Sequence, residues 1–174
     1  MKEIPEGYHI HKNGGGLVED TVTIDETVYI GPDAWVSGDA WVSGDAQVFG
    51  SARVSGDAQV FGSARVSGSA QVSGDAQVFG SALVFGNALV FGNARVSGSA
   101  RVSGDAWASS PLYIQGTKHS LTNSKYGHIA IGGHEHTFAY WQEHYKAIGR
   151  AEGYTKEEIE QYGLFIQMFV KIGK

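Results

Sequence analysis

The sequence predicts a mainly β fold, a prism of short stacked strands followed by a small α+β segment, and three observations carry that expectation. An aliphatic residue recurs at every sixth position, from Val18 through Ile24, Ile30, Val36, Val42 and Val48 to Val102, which makes fifteen hexads. Two positions before each of these sits a small residue, Val22 and Val28 at first and then Ala34, Ala40 and Ala46 through Ala106. Glycine is frequent, at 25 residues against 3 prolines, and twelve of the 25, from Gly38 to Gly104, recur in strict six-residue register with the hexads.

The unit of the repeat is small, variable, Val, Ser or Phe, Gly, then Asp, Ser or Asn. Alternate side chains of a strand share a face, so Ala-x-Val turns both apolar residues inward and leaves the residues beside Val outward. Glycine tolerates positive φ, and the polar residue after it can bond its own backbone, so the pair supplies a corner. A helix is excluded, because about 1 kcal/mol per interior glycine would accumulate over every copy.

Three segments follow from this pattern: residues 1–17 as an N-terminal cap, 18–108 as the repeat, and 109–174 as strands plus two helices that cover the other end. The run from Pro111 to Gly133 alternates apolar and polar residues like two or three strands, with Gly116 and Gly127 as turn candidates. One helix is expected from about Thr137 to Ile148 and a second from about Lys156 to Ile172. Thr155 and Glu158 have the spacing of a capping box, and Ile159, Tyr162, Ile166, Phe169 and Val170 line one face of the second helix.

The hexads resemble those of the left-handed parallel β-helix family, the hexapeptide-repeat proteins, in which three hexads make one coil. The resemblance implies about five coils of 18 residues in a three-sided prism that lends itself to homotrimers. It implies much less about activity, since one such prism serves acyltransferases, carbonic anhydrases and non-enzymatic proteins alike. The wording Gly-Asp-Ala-x-Val-Ser-Gly and Gly-Asn-Ala-x-Val-Phe-Gly is similar to that of repeat proteins common in phages and prophages. So is the tail, in Ser110-Pro111-Leu112-Tyr113-Ile114-Gln115-Gly116 and in Tyr145-Lys146-Ala147-Ile148-Gly149 through Glu152-Gly153-Tyr154-Thr155. That resemblance implies a phage context. By analogy with phage proteins that act as sponges for nucleotide immune signals, it suggests a role in immune evasion.

Composition narrows the classes. A net charge of −5 offers no global attraction for DNA, RNA or an anionic membrane, so any anion site must come from local arginines. Without cysteine there is no disulfide, thiolate metal site or cysteine nucleophile. The N-terminus has no apolar signal-like stretch and nothing approaches the roughly 20 apolar residues of a membrane span, so a cytoplasmic location in a bacterial host is expected.

Residues 18 apart should stack into outward columns. The first reads Leu17, Trp35, Arg53, Gln71, Leu89, Trp107, beside Ser37, Ser55, Ser73 and Phe91. Next come Thr23, Trp41, Gln59, Gln77, Arg95 beside Ser43, Phe61, Phe79, Ser97, then Tyr29, Gln47, Arg65, Leu83, Arg101 beside Phe49, Ser67, Phe85, Ser103. Phe79, Leu83, Phe85, Leu89 and Phe91 make an apolar girdle suited to a subunit interface. Guanidinium groups suit phosphate and aromatic faces suit a purine. Arg53, Arg65, Arg95 and Arg101 with Phe61, Phe79 and Trp41 are therefore the candidate ligand-binding residues, in clefts between protomers. Stacked aromatics that only shield a flat sheet or seal a trimer are the bland alternative.

Catalytic members of the hexapeptide superfamily use a histidine base, yet no histidine falls within the repeats. His119, His128, His134, His136 and His144 all lie in the last segment. His134 and His136 would share one face of a strand, a geometry open to a metal but more often structural. The repeats also lack the interrupting loop of the acyltransferases. The expectation is a non-enzymatic trimeric binding protein without cofactor, resident metal or catalytic residues, which sequesters a small phosphorylated ligand such as a cyclic nucleotide. A phage structural or assembly protein is the alternative, with an acyltransferase behind it.

Overall fold

The computed structural model describes residues 4–174. The chain divides into two compact units, Met1–Ser110 and Pro111–Lys174.

In the first unit, β1 (Tyr8–Ile10) runs antiparallel to β2 (Leu17–Glu19). Two-residue strands then recur at six-residue spacing, from β3 (Thr23–Ile24) and β4 (Tyr29–Ile30) to β16 (Arg101–Val102), with β17 (Ala106–Trp107) after them. They form three parallel stacks, one per side of a prism. The first side holds β1, β2 and the strands that begin at Trp35, Arg53, Gln71, Leu89 and Ala106. A second side holds those that begin at Thr23, Trp41, Gln59, Gln77 and Arg95; the third, those at Tyr29, Gln47, Arg65, Leu83 and Arg101. Partners such as Arg65 and Leu83, or Val66 and Val84, lie 18 residues apart, so each coil is three hexads.

The interior is almost wholly alanine and valine. Every alanine from Ala34 to Ala100 and every valine from Val36 to Val102 at the inward positions is fully buried. The ladder closes the backbone between coils, as in Arg65 N to Ala82 O and Ser67 N to Val84 O, both 2.9 Å. The corners explain the glycines. Gly68 has φ +69°, and a Cβ there would stand 3.0 Å from the nitrogen and the oxygen of Gly86 in the next coil. The first coil lacks those glycines, and side chains do the work: Glu19 and Asp25 accept from the backbone nitrogens of Gly38 (2.7 Å) and Gly44 (3.0 Å).

The N-terminal cap has its own design. The loop of residues 11–16 lies along β4, where Ile30 N donates to Asn13 O and Gly16 N donates to Ile30 O, each at 2.9 Å. A Cβ on Gly14 would come 2.3 Å from Ile30 O, so only glycine lets the loop lie this close. His11 is buried with its Nε2 2.9 Å from Val28 O.

Two outward assignments are corrected here. Leu17 is buried, in register between Ile10 of β1 and Trp35. Trp107 is buried too. Leu89 pairs with Ala106 and Val90 with Trp107, a spacing of 17, so the register slips by one residue. The corner is responsible: Asp105, not Gly104, carries the positive φ, +62°. The last hexad has Ala108 where valine should be. The slip turns the larger Trp107 inward over Val90, with its Nε1 donating to Gly104 O at 2.9 Å, and leaves Ala106 exposed.

The second unit has an antiparallel sheet of four strands: β18 (Tyr113–Gln115), β19 (Ser120–Lys125) and β20 (His128–Ile131), the three that the run from Pro111 to Gly133 supplies, and β21 (His134–Thr137) beyond it. Two helices follow, α1 (Phe138–Ala151) and α2 (Lys156–Ile172). Thr137 caps α1, which runs three residues beyond Ile148, and the capping box of Thr155 and Glu158 is formed. The core of this unit gathers Leu121, Ile129, Trp141, Tyr162, Ile166 and Phe169, with Ile159 and Val170 half-buried. Asn123 ties the end of α2 to the sheet, donating to Lys174 O at 2.8 Å and accepting from Lys174 N at 2.6 Å.

Candidate functional site

Because the strands stack in register, each side of the prism is a set of side-chain columns. On the second side Trp41, Phe61 and Phe79 form one continuous stack, with centroids 5.9 and 4.9 Å apart and planes inclined by 22° and 3°. Arg95 closes the row, its guanidinium carbon 5.3 Å from the centre of the Phe79 ring. Beside it an amide ladder runs, Gln77 Nε2 donating to Gln59 Oε1 at 3.2 Å. Four of the seven candidate residues thus meet on one side: Trp41, Phe61, Phe79 and Arg95. Within the stack the ring faces are spent on one another, so Phe61 presents its edge outward and not a free face.

The other three arginines stand elsewhere. Arg65 and Arg101 belong to the third side, where Leu83 separates them in the ladder and Arg101 reaches over Phe85 at 5.7 Å. Arg53 belongs to the first side, in a depression of about 380 Å³ lined by Trp35, Ser37, Arg53, Ser55 and Gln71. Trp35 is steadied there by an edge contact with Tyr8, centroids 5.8 Å apart. The sequence reading included Arg53 but omitted Trp35, Ser37, Ser55 and Gln71 from the candidate ligand-binding residues. Their signal was present in the columns: Ser37, Ser55 and Ser73 make a row of the smallest outward residues between larger ones, and a low row beside Trp and Arg is a hollow.

Chemically the depression presents a guanidinium for phosphate, two hydroxyls that can donate or accept, an amide and an indole. It contains no histidine and no carboxylate, hence no general acid or base of ordinary kind.

The histidines of the second unit form a cluster of their own. His134 and His136 do share a face of β21, with ring centroids 6.1 Å apart. His136 lies 4.2 Å from the Tyr140 ring, which in turn stacks on His144 at 4.1 Å. Burial, and then the neighbouring His134 and His144, hold the His136 imidazole below the usual histidine range. His134 instead meets Glu152, Nε2 to Oε1 at 3.0 Å. Among the described residues no group of three or more histidine, aspartate or glutamate side chains is placed to hold a metal ion. Among the described residues no helix is long and apolar enough to cross a membrane.

Short parallel strands stacked in coils of about 18 residues, with glycine corners and an alanine and valine interior, define a β-solenoid. A family model described as the YdcK β-solenoid repeat matches residues 52–68, 58–74 and 88–104, all within the coils. No curated protein and no solved structure gives a match.

Proposed function

We propose that the chain is a non-enzymatic binding protein that associates as a homotrimer and holds a small phosphorylated ligand against the sides of its solenoid. The observation that carries this reading is the depression on the first side, where Arg53, Ser37 and Ser55 converge beside the Trp35 indole. A guanidinium flanked by hydroxyls suits a phosphate, and an indole suits the flat ring of a nucleobase. Capture of this kind requires no cofactor and no turnover. Arg65 with Arg101, and Arg95 on its aromatic stack, add anion-binding groups on the remaining two sides, which cyclic assembly would bring against neighbouring copies. The phage-like wording of the repeat and tail favours a nucleotide immune signal as the ligand and the bacterial cytoplasm as the place of action.

The test is a calorimetric screen of cyclic mono-, di- and trinucleotides, ADP-ribose derivatives and acetyl-CoA, with subunit mass from sedimentation. The reading expects saturable binding of a phosphorylated nucleotide without turnover, by a protein of three chains. Binding confined to acetyl-CoA would favour an acyltransferase, and silence across the panel would remove the ligand reading.

A second reading, a structural or assembly protein of a phage, is favoured by one observation. The stack of Trp41, Phe61 and Phe79 has used its ring faces internally and offers a flat apolar stripe, a surface suited to packing and poorly suited to intercalating a base. Under this reading Arg53→Ala leaves self-association and fold unchanged and there is no ligand to lose.

A further inference from the structure

The second unit contains a cavity that none of the solenoid chemistry involves. It measures about 300 Å³, the lower end of the range for small-molecule sites. Its walls are Trp141 and Tyr145 from α1, Tyr162 from α2 and Tyr154 from the turn between the helices, over a floor that includes Ile148 and Ile166. Several of these groups are fixed by hydrogen bonds to the backbone and by ring contacts. Trp141 donates its Nε1 to Ile129 O at 2.8 Å, and the Tyr162 hydroxyl accepts from His119 N and donates to His119 O, both at 2.7 Å. Tyr154 and Tyr162 meet edge to face at 5.0 Å and 86°. Rigid aromatic walls of this kind are a prepared surface, with little ordering left to do on binding.

Charge decides what fits. Glu152 is the one carboxylate in the lining, His119 and His134 are its two imidazoles, and neither lysine nor arginine lines the cavity. Glu152 Oε1 takes the contact with His134 Nε2, while Oε2 has no protein partner among the described residues. Lys118 approaches Tyr154, its Nζ 4.7 Å from the ring centre, but its charge is met by Glu158 at 3.4 Å and its proton by Gly153 O at 2.6 Å. The contact demonstrates that an ammonium is accommodated on this tyrosine. Aromatic faces carry negative potential and a cation gains from them as well as from the carboxylate.

From this we infer that the cavity between the sheet and the helices of the second unit is a binding site for a small organic amine, with an aromatic or branched aliphatic body against the rings and its ammonium at Glu152. The inference is independent of the nucleotide reading, which concerns a different unit.

The test uses the full chain and a matched pair of probes, 2-phenylethylamine and phenylacetate, which share a body and differ in the sign of the head group. Calorimetry should show one saturable site per chain for the amine, with the carboxylate weaker by about tenfold, the worth of one charge-assisted contact. Glu152→Gln should erase that preference. Gly133→Leu should abolish amine binding while the thermal transition holds, because Gly133 lines the cavity and a Cβ there meets nothing within 4 Å. If that variant melts early, Ile148→Phe fills the same space from α1. Absence of saturable binding, equal or tighter binding of phenylacetate, or amine binding that survives filling of the cavity would each overturn the proposal.

Discussion

The two units are stabilised in opposite ways. In the solenoid no inward coil residue from Ala34 to Val102 is larger than valine, every inward contact is repeated by the coil above and below, and each corner copies the last. The second unit does the reverse: Trp141, Tyr162, Ile166 and Phe169 each occur once, in a core that four strands and two helices assemble around them. Replication spreads stability evenly and leaves the outward columns free to vary, so function on the solenoid is written in surface chemistry. A one-off core can be shaped, and the second unit holds an aromatic-walled cavity of about 300 Å³.

That contrast can be broken most forcefully inside the coils. Val60→Asp places an unpaired charge in the fully buried aliphatic column, where a cost of several kcal/mol is expected, and loss of the β signal in circular dichroism on denaturant titration would register it. Phe169→Ala removes a fully buried ring from the unique core, at about 3–5 kcal/mol. Hydrogen exchange should show the loss of protection confined to residues 111–174; loss spread equally through the coils would mean that the units do not unfold separately. Gly68→Ala puts a side chain in the left-handed region and against Gly86, for roughly 1–3 kcal/mol, with exchange quickening most at the adjoining corners. Thr155→Ala breaks the capping box of α2 and should cost about 1 kcal/mol.

A pH effect sharpens the comparison from the other side. The His136 imidazole is held below its ordinary value in the folded chain, so the unfolded chain binds the proton more readily. Its contribution to stability is intact above the unfolded value, near pH 6.5, and is lost as pH falls toward the depressed folded value. His136→Gln should flatten that part of the pH profile of the second unit and leave the coils, which contain no histidine from residue 18 to 110, unchanged.

How much was legible in the sequence follows the same division. The coil architecture, its 18-residue period and the outward columns were legible because every hexad repeats the same instruction. Extrapolating that period is also what misplaced Trp107: the signal against it was a single residue, Ala108 in place of an inward valine, which lets the corner shorten at Asp105. Leu17 was misread because it stands at the start of the repeat, beside an N-terminal segment that has no period to announce its surroundings. The candidate arginines were assigned to their columns correctly. Yet the hollow beside Arg53 depends on the relative height of Trp35, Ser37 and Ser55, a property of packing and not of spacing. In the second unit the helices and the capping box could be read from local patterns. The cavity could not, because its lining comes from residues 119 to 166 on several elements with no common periodicity.

The account rests most heavily on the depression around Arg53, and the direct measurement is a paired titration with AMP and adenosine, which differ by one phosphate, on the wild-type chain and Arg53→Ala. The expected result is that AMP binds about tenfold or more tightly than adenosine, and that Arg53→Ala removes the difference without moving the thermal transition. Equal binding of the two by the wild-type chain, or a phosphate preference that persists in Arg53→Ala, would contradict it.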